Sequence, residues 1–216
     1  MIPKSISDLP LHIPLFPLEG ALLLPRGKLA LNVFEPRYLQ MTDEALASTK
    51  LIGIIQPVNS KNKFTSTDLY PVGCVGYIRY FVEEEGPRYL IELLGISRFR
   101  LQTEISSKKL YRIANVDFNE YEEDFSKEKS NKFDTKIIIN SLKTYFSLND
   151  ITAEWDEISK TNIDYLASIL TQIIPFSPSE KQAILEATTI DERINIMTTL
   201  LDMMAISKNS PKNSIN

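Results

Sequence analysis

The 216-residue chain has a single cysteine, Cys74, and a single histidine, His12. One cysteine excludes an internal disulfide and a cysteine-based zinc site. One histidine excludes a histidine cluster for a metal ion, and a histidine-assisted nucleophile would depend on His12 alone. His12 starts a predicted strand, which favours a packing or surface role. Cys74 lies in the apolar segment 73–76, which favours a buried, inert thiol.

Long hydrophobic runs and a strong net charge are also lacking. No stretch approaches the ~18 consecutive apolar residues of a transmembrane helix. Three prolines, Asp8 and His12 interrupt the first 14 residues, where a signal peptide needs an unbroken apolar core. The net charge of −4 gives no electrostatic reason to expect nucleic acid or an anionic membrane. We therefore expect a cytoplasmic protein with neither of these partners.

The sequence has no motif that predicts a cofactor or a metal ion. The segment GALLLPRGKL, residues 20–29, superficially resembles a phosphate-binding loop. Six residues instead of four separate its glycines, and a leucine stands where a magnesium-binding hydroxyl is needed, so we reject it. The acidic runs at 83–85 and 122–124 have no histidine beside them, and each is interpreted as a solvated turn or connector.

Prolines are abundant in the apolar segment IPLFPLEGALLLPRGKLALNVFEPRYLQM, residues 13–41. Proline breaks a helix interior but is tolerated at strand ends, turns and the first helical turn. The segment therefore predicts a strand at 13–17, a turn at 25–27, a strand at 28–34 and a helix that begins at Glu35-Pro36. The prolines are interpreted as corners of a compact β-fold.

Further short strands and then helices follow along the chain. A strand buried on both faces is predicted at 51–56, and a loop at 61–68. Residues 72–82 and 88–94 are predicted to form a hairpin around the turn 83–87. Gly95 is predicted to end that pattern, and a last strand is predicted at 111–118. This spacing suggests a barrel or sandwich. Residues 119–132 are interpreted as an exposed, charged connector.

The pattern then becomes helical. Helices are predicted at 133–145 and 163–173, and capping boxes at 177–180 and 189–192 begin two more. The pattern predicts an α+β fold, with a β-rich subdomain over residues 1–120, a helical bundle over 121–206 and a flexible tail over 207–216.

One predicted strand has an unusual second face. In the strand 72–82, simple alternation places Tyr77, Arg79 and Phe81 together with Val75. A strand between core and solvent should be polar on that face, whereas aromatic residues and arginine are enriched in binding surfaces. Two interpretations stay open: helices from the second half of the chain cover this face, or Tyr77, Arg79 and Phe81 line a peptide-binding groove.

The chain also resembles a known family. The segment 13–41, together with LIGIIQP at 51–57, PVGCVGYIRYF at 71–81 and LIELLGISRFRL at 90–101, closely resembles the Lon protease N-terminal domain, or LON substrate-binding domain. A weaker similarity continues through 177–201. The resemblance implies a β-rich pseudo-barrel subdomain followed by an α-helical bundle.

The resemblance also assigns roles to a few residues. Glu35, Pro36 and Arg37 match one family element, in which Pro36 fixes the helix entry and Arg37 is expected to find a carboxylate partner. A second element, matched after the hairpin, comprises Gly95, Arg98 and Phe99. The resemblance implies structural and not catalytic roles for these residues.

Three functional hypotheses follow. The first is a non-catalytic, stand-alone polypeptide-binding module without ATPase and serine–lysine protease domains, which acts as an adaptor for a protease or chaperone in protein quality control. The second is a self-assembly or regulatory interaction module that does not bind unfolded peptide. A peptidase ranks last.

Overall fold

The computed structural model describes residues 1–58, 68–126 and 135–209. Within these residues the strands are β1 (His12–Pro17), β2 (Lys28–Val33), β3 (Leu51–Ile55), β4 (Val72–Glu84), β5 (Arg88–Ile105) and β6 (Arg112–Asp117). The helices are α1 (Pro36–Leu46), α2 (Thr135–Leu148), α3 (Trp155–Lys160), α4 (Ile163–Ile173), α5 (Pro178–Glu186) and α6 (Ile190–Asn209), with short 3₁₀ helices at Ile6–Asp8 and Asn119–Phe125. The predicted loop at 61–68 lies outside the described residues except for Asp68, as does 210–216 of the predicted tail.

The strands form one sheet that closes on itself. Their order is β2-β5-β4-β3-β1-β6, and a further pairing of β5 with β6 completes a ring of five strands. The pairing of β1 with β3 is parallel and the other pairings are antiparallel. The 18-residue β5 makes this closure, since its first part pairs with β2 and its last part with β6. The predicted α+β fold with a β-rich pseudo-barrel is confirmed.

The chain divides into two compact units. The first comprises Met1–Lys129 and Ser168–Glu186, and the second comprises Ser130–Ala167 and Ala187–Asn216. The first unit therefore contains the sheet, α1, α5 and the end of α4, whereas α2, α3 and α6 belong to the second. The linear boundary at residue 120 stays a prediction, and the units are interleaved along the sequence.

The interior of the first unit is made by the sheet. All five residues of β3 are buried, as predicted for a strand covered on both faces. Cys74 is fully buried. On the side where α1 packs, the rings of Phe16 and Tyr38 lie 3.9 Å apart between centroids. One core cluster comprises Leu9, Ile13, Leu15, Leu51, Ile55, Val75, Ile96, Phe99, Ala114, Val116 and Phe118.

Gly95 does not break the strand as predicted, because β5 continues through it to Ile105. The glycine is instead required by a close approach: a Cβ atom there would lie 2.1 Å from the carbonyl oxygen of Leu24. The N–H of Gly95 donates to the carbonyl of Gly27, and its carbonyl accepts from the N–H of Arg26, each at 2.8 Å. Gly95 thus holds the predicted turn at 25–27 against the sheet.

The charged connector after β6 is only partly exposed. Its first part forms the 3₁₀ helix Asn119–Phe125, in which Tyr121 and Asp124 are buried. Glu122 and Glu123 are exposed, as predicted for a solvated connector. For Asp124 that prediction is wrong, because its carboxylate is held by the side chain of Arg98.

The second unit buries one stripe of α6. Ile190, Ile194, Met197 and Leu201, the spacing expected for a core-facing helix, are all buried. α6 packs against α2, whose Ile138, Ser141, Leu142, Tyr145 and Phe146 are buried. The N–H of Glu192 donates to the Thr189 hydroxyl at 3.1 Å, which confirms the predicted helix start.

Candidate functional site

A small three-stranded sheet extends beyond the ring of strands. β4 pairs with β3 only as far as Tyr77, yet it continues alongside β5 to Glu84. β2 pairs with β5 over the same stretch. We call this region, made of β2, residues 78–84 of β4 and residues 88–94 of β5, the distal sheet. It contains the strand segment in which a binding surface was predicted.

A β-bulge at Arg79 changes which side chains share a face. The register is Tyr77↔Leu94, Ile78↔Leu93, Tyr80↔Glu92 and Phe81↔Ile91, so Arg79 is the extra residue. Cross-strand partners lie on the same face, and faces alternate along β5. Tyr77 and Tyr80 therefore share one face, whereas Phe81 lies on the other. The predicted grouping of Tyr77, Arg79 and Phe81 on one face is corrected, because the inserted residue reverses the alternation.

The two faces of the distal sheet differ in exposure. The open face carries Lys28, Ala30, Asn32, Tyr80, Val82, Leu90 and Glu92. On it, Tyr80 is 54% exposed, and Ala30 and Asn32 are exposed as well. An ion pair of 3.9 Å joins Lys28 to Glu92 across the strands. The open face thus combines an exposed aromatic ring with flanking charge, a composition typical of binding surfaces.

The packed face is covered by side chains of the first unit. Phe81 is half-buried, and its ring meets that of Tyr89 edge-to-face with centroids 5.0 Å apart. The hydroxyl of Tyr89 donates a hydrogen bond to the carboxylate of Asp43 in α1, and this bond raises the pKa of Tyr89. Ile91 and Leu93 on this face are fully buried. The side chain of Phe81 therefore packs on the covered face, although its strand, β4, lies at the edge of the distal sheet.

Of the three predicted contacts, only Arg79 is exposed. Tyr77 is half-buried and packs against the core cluster. The residue that sequence alternation missed is Tyr80, which was placed on the opposite face from Tyr77. No local signal could have revealed it, since neither a glycine nor a proline marks the bulge at Arg79.

In the part of the chain that the structure describes, the outer margin of β4 has unpaired backbone. Within residues 1–58, 68–126 and 135–209, strand pairing on this side of β4 ends at Tyr77. Beyond it, the N–H of Ile78 donates to the carbonyl of Lys50 at 2.8 Å, and then the margin carries no strand partner among these residues. Such a row of unpaired amide and carbonyl groups is a template for an added strand.

Glu35, Pro36 and Arg37 lie at the entrance to α1. Pro36 occupies the first helical turn, and Glu35 is the N-cap residue without a side-chain capping bond. The carboxylate partner expected for Arg37 is Glu35 itself, at 2.7 Å and 3.0 Å from two guanidinium nitrogens. Both side chains are about half exposed. The guanidinium also lies 4.5 Å from the ring centre of Tyr38. Glu35, Pro36 and Arg37 therefore stabilise the exposed turn at which α1 begins.

Gly95, Arg98 and Phe99 lie in the middle of β5, and all three are buried. Phe99 fills the core cluster. Arg98 donates to both carboxylate oxygens of Asp124 and to the carbonyl of Leu185 at the end of α5. These contacts hold the fold together at a distance from the margin of β4.

The described residues 1–58, 68–126 and 135–209 contain neither a metal-binding cluster nor a membrane-spanning helix. Among the residues it describes, no group of three or more histidine, cysteine, aspartate or glutamate side chains could hold a metal ion. Nor does any helix in the described ranges combine the length and the apolar content needed to cross a bilayer.

Comparisons with known proteins identify the family. The model of the ATP-dependent protease La (LON) substrate-binding domain matches residues 12–203. The chain therefore belongs to the LON substrate-binding domain family, which confirms the resemblance found in the sequence.

Lon proteases are among the relatives that the sequence matches. The chain is 25% identical over 206 residues to a Lon protease of Desulfosudis oleivorans and 23% identical over 219 residues to one of Syntrophus aciditrophicus, with 92% of the chain covered in each case. It spans about a quarter of the length of these relatives, 24% and 26%.

The fold is similar to that of two solved structures. The Lon N-terminal domain protein from Xanthomonas campestris matches with a TM-score of 0.61 and 17% identity, covering 87% of this chain and 97% of that one. The N-terminal domain of Mycobacterium avium complex Lon protease matches with a TM-score of 0.60 and 12% identity, covering 88% and 98%. At these identities the similarity establishes the fold.

Proposed function

We propose that this chain is a non-catalytic module that binds extended polypeptide, acting as an adaptor for a protease or chaperone in protein quality control. The family assignment over residues 12–203 supports the class of ligand. The observation that carries the proposal is the margin of β4, which has no strand partner among the described residues and lies beside the exposed ring of Tyr80.

The binding mode is strand addition. An extended segment of the ligand pairs its backbone with β4 between Arg79 and Glu84, and its alternate side chains contact the two faces of the distal sheet. Backbone hydrogen bonds are independent of sequence, which suits a module that must accept many unfolded chains. Folded proteins keep their strand backbones paired and are excluded.

The named side chains take different roles in this mode. Tyr80 offers an exposed aromatic surface on the open face, and Arg79 supplies a charge at the beginning of the margin. Phe81 contacts ligand side chains on the packed face. Tyr77, which is half-buried, supports the strand from within.

The absence of a catalytic role is part of the same proposal. The thiol of Cys74 is fully buried and cannot reach a substrate, while His12 lies exposed at the start of β1. A peptidase function would require steady cleavage of casein by the purified protein that a single point mutation abolishes.

The test compares unfolded with folded ligand. Fluorescence anisotropy of labelled casein, which is unfolded, is measured against the wild-type chain and the Tyr80→Ser variant. We expect binding by Tyr80→Ser to be weaker by up to roughly tenfold, because an aromatic contact contributes about 0.5–1.5 kcal/mol.

The matched control is Leu110→Ser, since Leu110 is 63% exposed and lies outside the distal sheet. Binding by this variant should equal that of the wild type. A chain that binds labelled folded lysozyme as tightly as casein would contradict the proposal, and so would equal losses in both variants.

A further inference from the structure

The margin of β4 has an ordered sequence of charge. It begins with Arg79, continues through Tyr80, Phe81 and Val82, and ends with the three glutamates at 83–85. One end is therefore positive, the middle is apolar and the other end is negative. Within the described residues, no ion pair is formed by Arg79 or by these glutamates, so their charges remain available to a neighbour.

This order of charges is complementary to that of a second, identical strand that runs in the opposite direction. If two copies of the margin run antiparallel with Phe81 facing Phe81, then the end of the margin that carries Arg79 in each copy lies beside Glu83 of the other. In the same register Tyr80 faces Val82. Opposite charges and aromatic–β-branched pairs are the cross-strand combinations that stabilise antiparallel strands.

The faces of the distal sheet agree with this register. Pairing two identical strands about a twofold axis perpendicular to the sheet joins like faces. Tyr80 and Val82 share the open face, so their contact lies on one side of the joined sheet. Phe81 lies on the packed face beside Tyr89, and its contact with the second copy lies on the other side.

We infer that a second copy of this chain docks on the margin of β4, forming an antiparallel β4–β4 pair centred on Phe81. The inference does not depend on polypeptide binding. It rests on the backbone of β4 beyond Ile78, which no strand of the described residues pairs, and on the reversed match of charges along residues 79–83.

The dimer formed in this way is weak. Five residues from each chain make a contact much smaller than a stable interface requires, which places it among transient associations. Salt screens its terminal ion pairs, so dimerisation should weaken as the ionic strength rises. The expected behaviour is a reversible equilibrium between a monomer of 24.6 kDa and a dimer of twice that mass.

Charge reversal tests the register. Sedimentation velocity over a hundredfold range of concentration measures the average mass of the wild type, Arg79→Glu, Glu83→Arg and the double variant. Each single variant places like charges opposite each other and should remain monomeric throughout. The double variant restores both pairs with their signs exchanged and should dimerise at least as well as the wild type.

Two control variants have the same changes in net charge as the two single test variants. Lys108→Glu repeats the change of Arg79→Glu, and Glu122→Arg repeats that of Glu83→Arg, both at exposed sites outside the distal sheet. Both controls should dimerise like the wild type. Far-ultraviolet circular dichroism checks that every variant is folded.

A crosslink provides an independent measurement. Residues on a twofold axis meet their own copies, so Phe81→Cys should form a covalent dimer under mild oxidation, whereas Lys108→Cys should not. A wild type that stays monomeric at every concentration overturns the inference. It is also overturned by a dimer that persists in Arg79→Glu, or by a double variant that fails to recover. A monomeric wild type that still binds casein through Tyr80 would leave the proposed function standing.

Discussion

The guanidinium of Arg98 and the carboxylate of Asp124 form a two-pronged ion pair inside the first unit, with nitrogen–oxygen distances of 3.0 and 3.1 Å. Their side chains are 3% and 1% exposed. The backbone N–H of Arg98 also donates to Asp124 at 2.9 Å, and the ring of Tyr121 lies 4.6 Å from the guanidinium. One arginine in β5 therefore fixes the 3₁₀ helix after β6.

Replacing Asp124 with alanine should strongly destabilise the first unit. The substitution leaves the Arg98 charge buried without its carboxylate, and breaking a buried pair in this way costs about 3–5 kcal/mol. Urea unfolding followed by circular dichroism measures the loss. Glu123→Ala, which removes an exposed neighbour of the same charge, should shift the transition little. Equal shifts for the two variants would mean that the pair contributes nothing beyond surface charge.

The sequence predicted those features that depend on local chemistry. Proline positions and alternation indicated β1, the turn at 25–27 and the start of α1. The capping box at 177–180 is confirmed in both directions, since Ser177 N–H donates to Glu180 at 2.7 Å and Glu180 N–H to the Ser177 hydroxyl at 3.3 Å. Each of these signals lies within a few residues of the structure it specifies.

Features that depend on distant partners were missed. Asp124 belongs to a charged run that looks solvated, and its burial is decided by Arg98, 26 residues earlier. Gly95 resembles a strand break, whereas the need for glycine comes from the carbonyl of Leu24. The bulge at Arg79 shifts a register that alternation alone assumes to be unbroken. The predicted grouping on one face therefore fails, since the bulge puts Tyr77 and Phe81 on opposite faces of β4.

The stability contributed by Glu44 should depend on pH. Hydrogen bonds from the Lys109 ammonium and the Tyr111 hydroxyl hold the pKa of Glu44 below its ordinary value near 4.5. A carboxyl whose pKa is lower in the folded state stabilises that state above its unfolded pKa, and the contribution is lost as the pH falls through the folded pKa.

The variant Glu44→Gln isolates this contribution. Its urea midpoint should lie below that of the wild type at pH 6, and the difference should be smaller at pH 3, because the contribution declines as the pH falls below the ordinary pKa of 4.5 and Glu44 becomes protonated. Urea titrations at the two pH values provide the measurement. A difference that stays constant between them would show that Glu44 acts through packing and not through its charge.

Gly95→Ala should destabilise the sheet more than an ordinary surface substitution does. The added methyl group would lie 2.1 Å from a backbone oxygen, which cannot move aside as a flexible side chain can. We expect a loss of about 1–3 kcal/mol or more. Gly20→Ala serves for comparison, because its added methyl group would meet no atom within 4 Å. Only the backbone φ of +70°, which an alanine rarely adopts, disfavours that substitution. Urea unfolding should rank Gly95→Ala well below Gly20→Ala in stability.

Polypeptide binding and dimerisation should exclude each other, because both use the backbone of β4 between Arg79 and Glu84. Adding unlabelled casein to concentrated protein should therefore raise the monomeric fraction, as sedimentation with detection of the labelled chain would show. The variant Arg79→Glu provides the reference. It is expected to be monomeric already, so adding casein should not change its monomeric fraction. If the dimer binds casein without dissociating, the two partners occupy different surfaces, and the ligand must then be placed on the open face around Tyr80 and not on the strand margin.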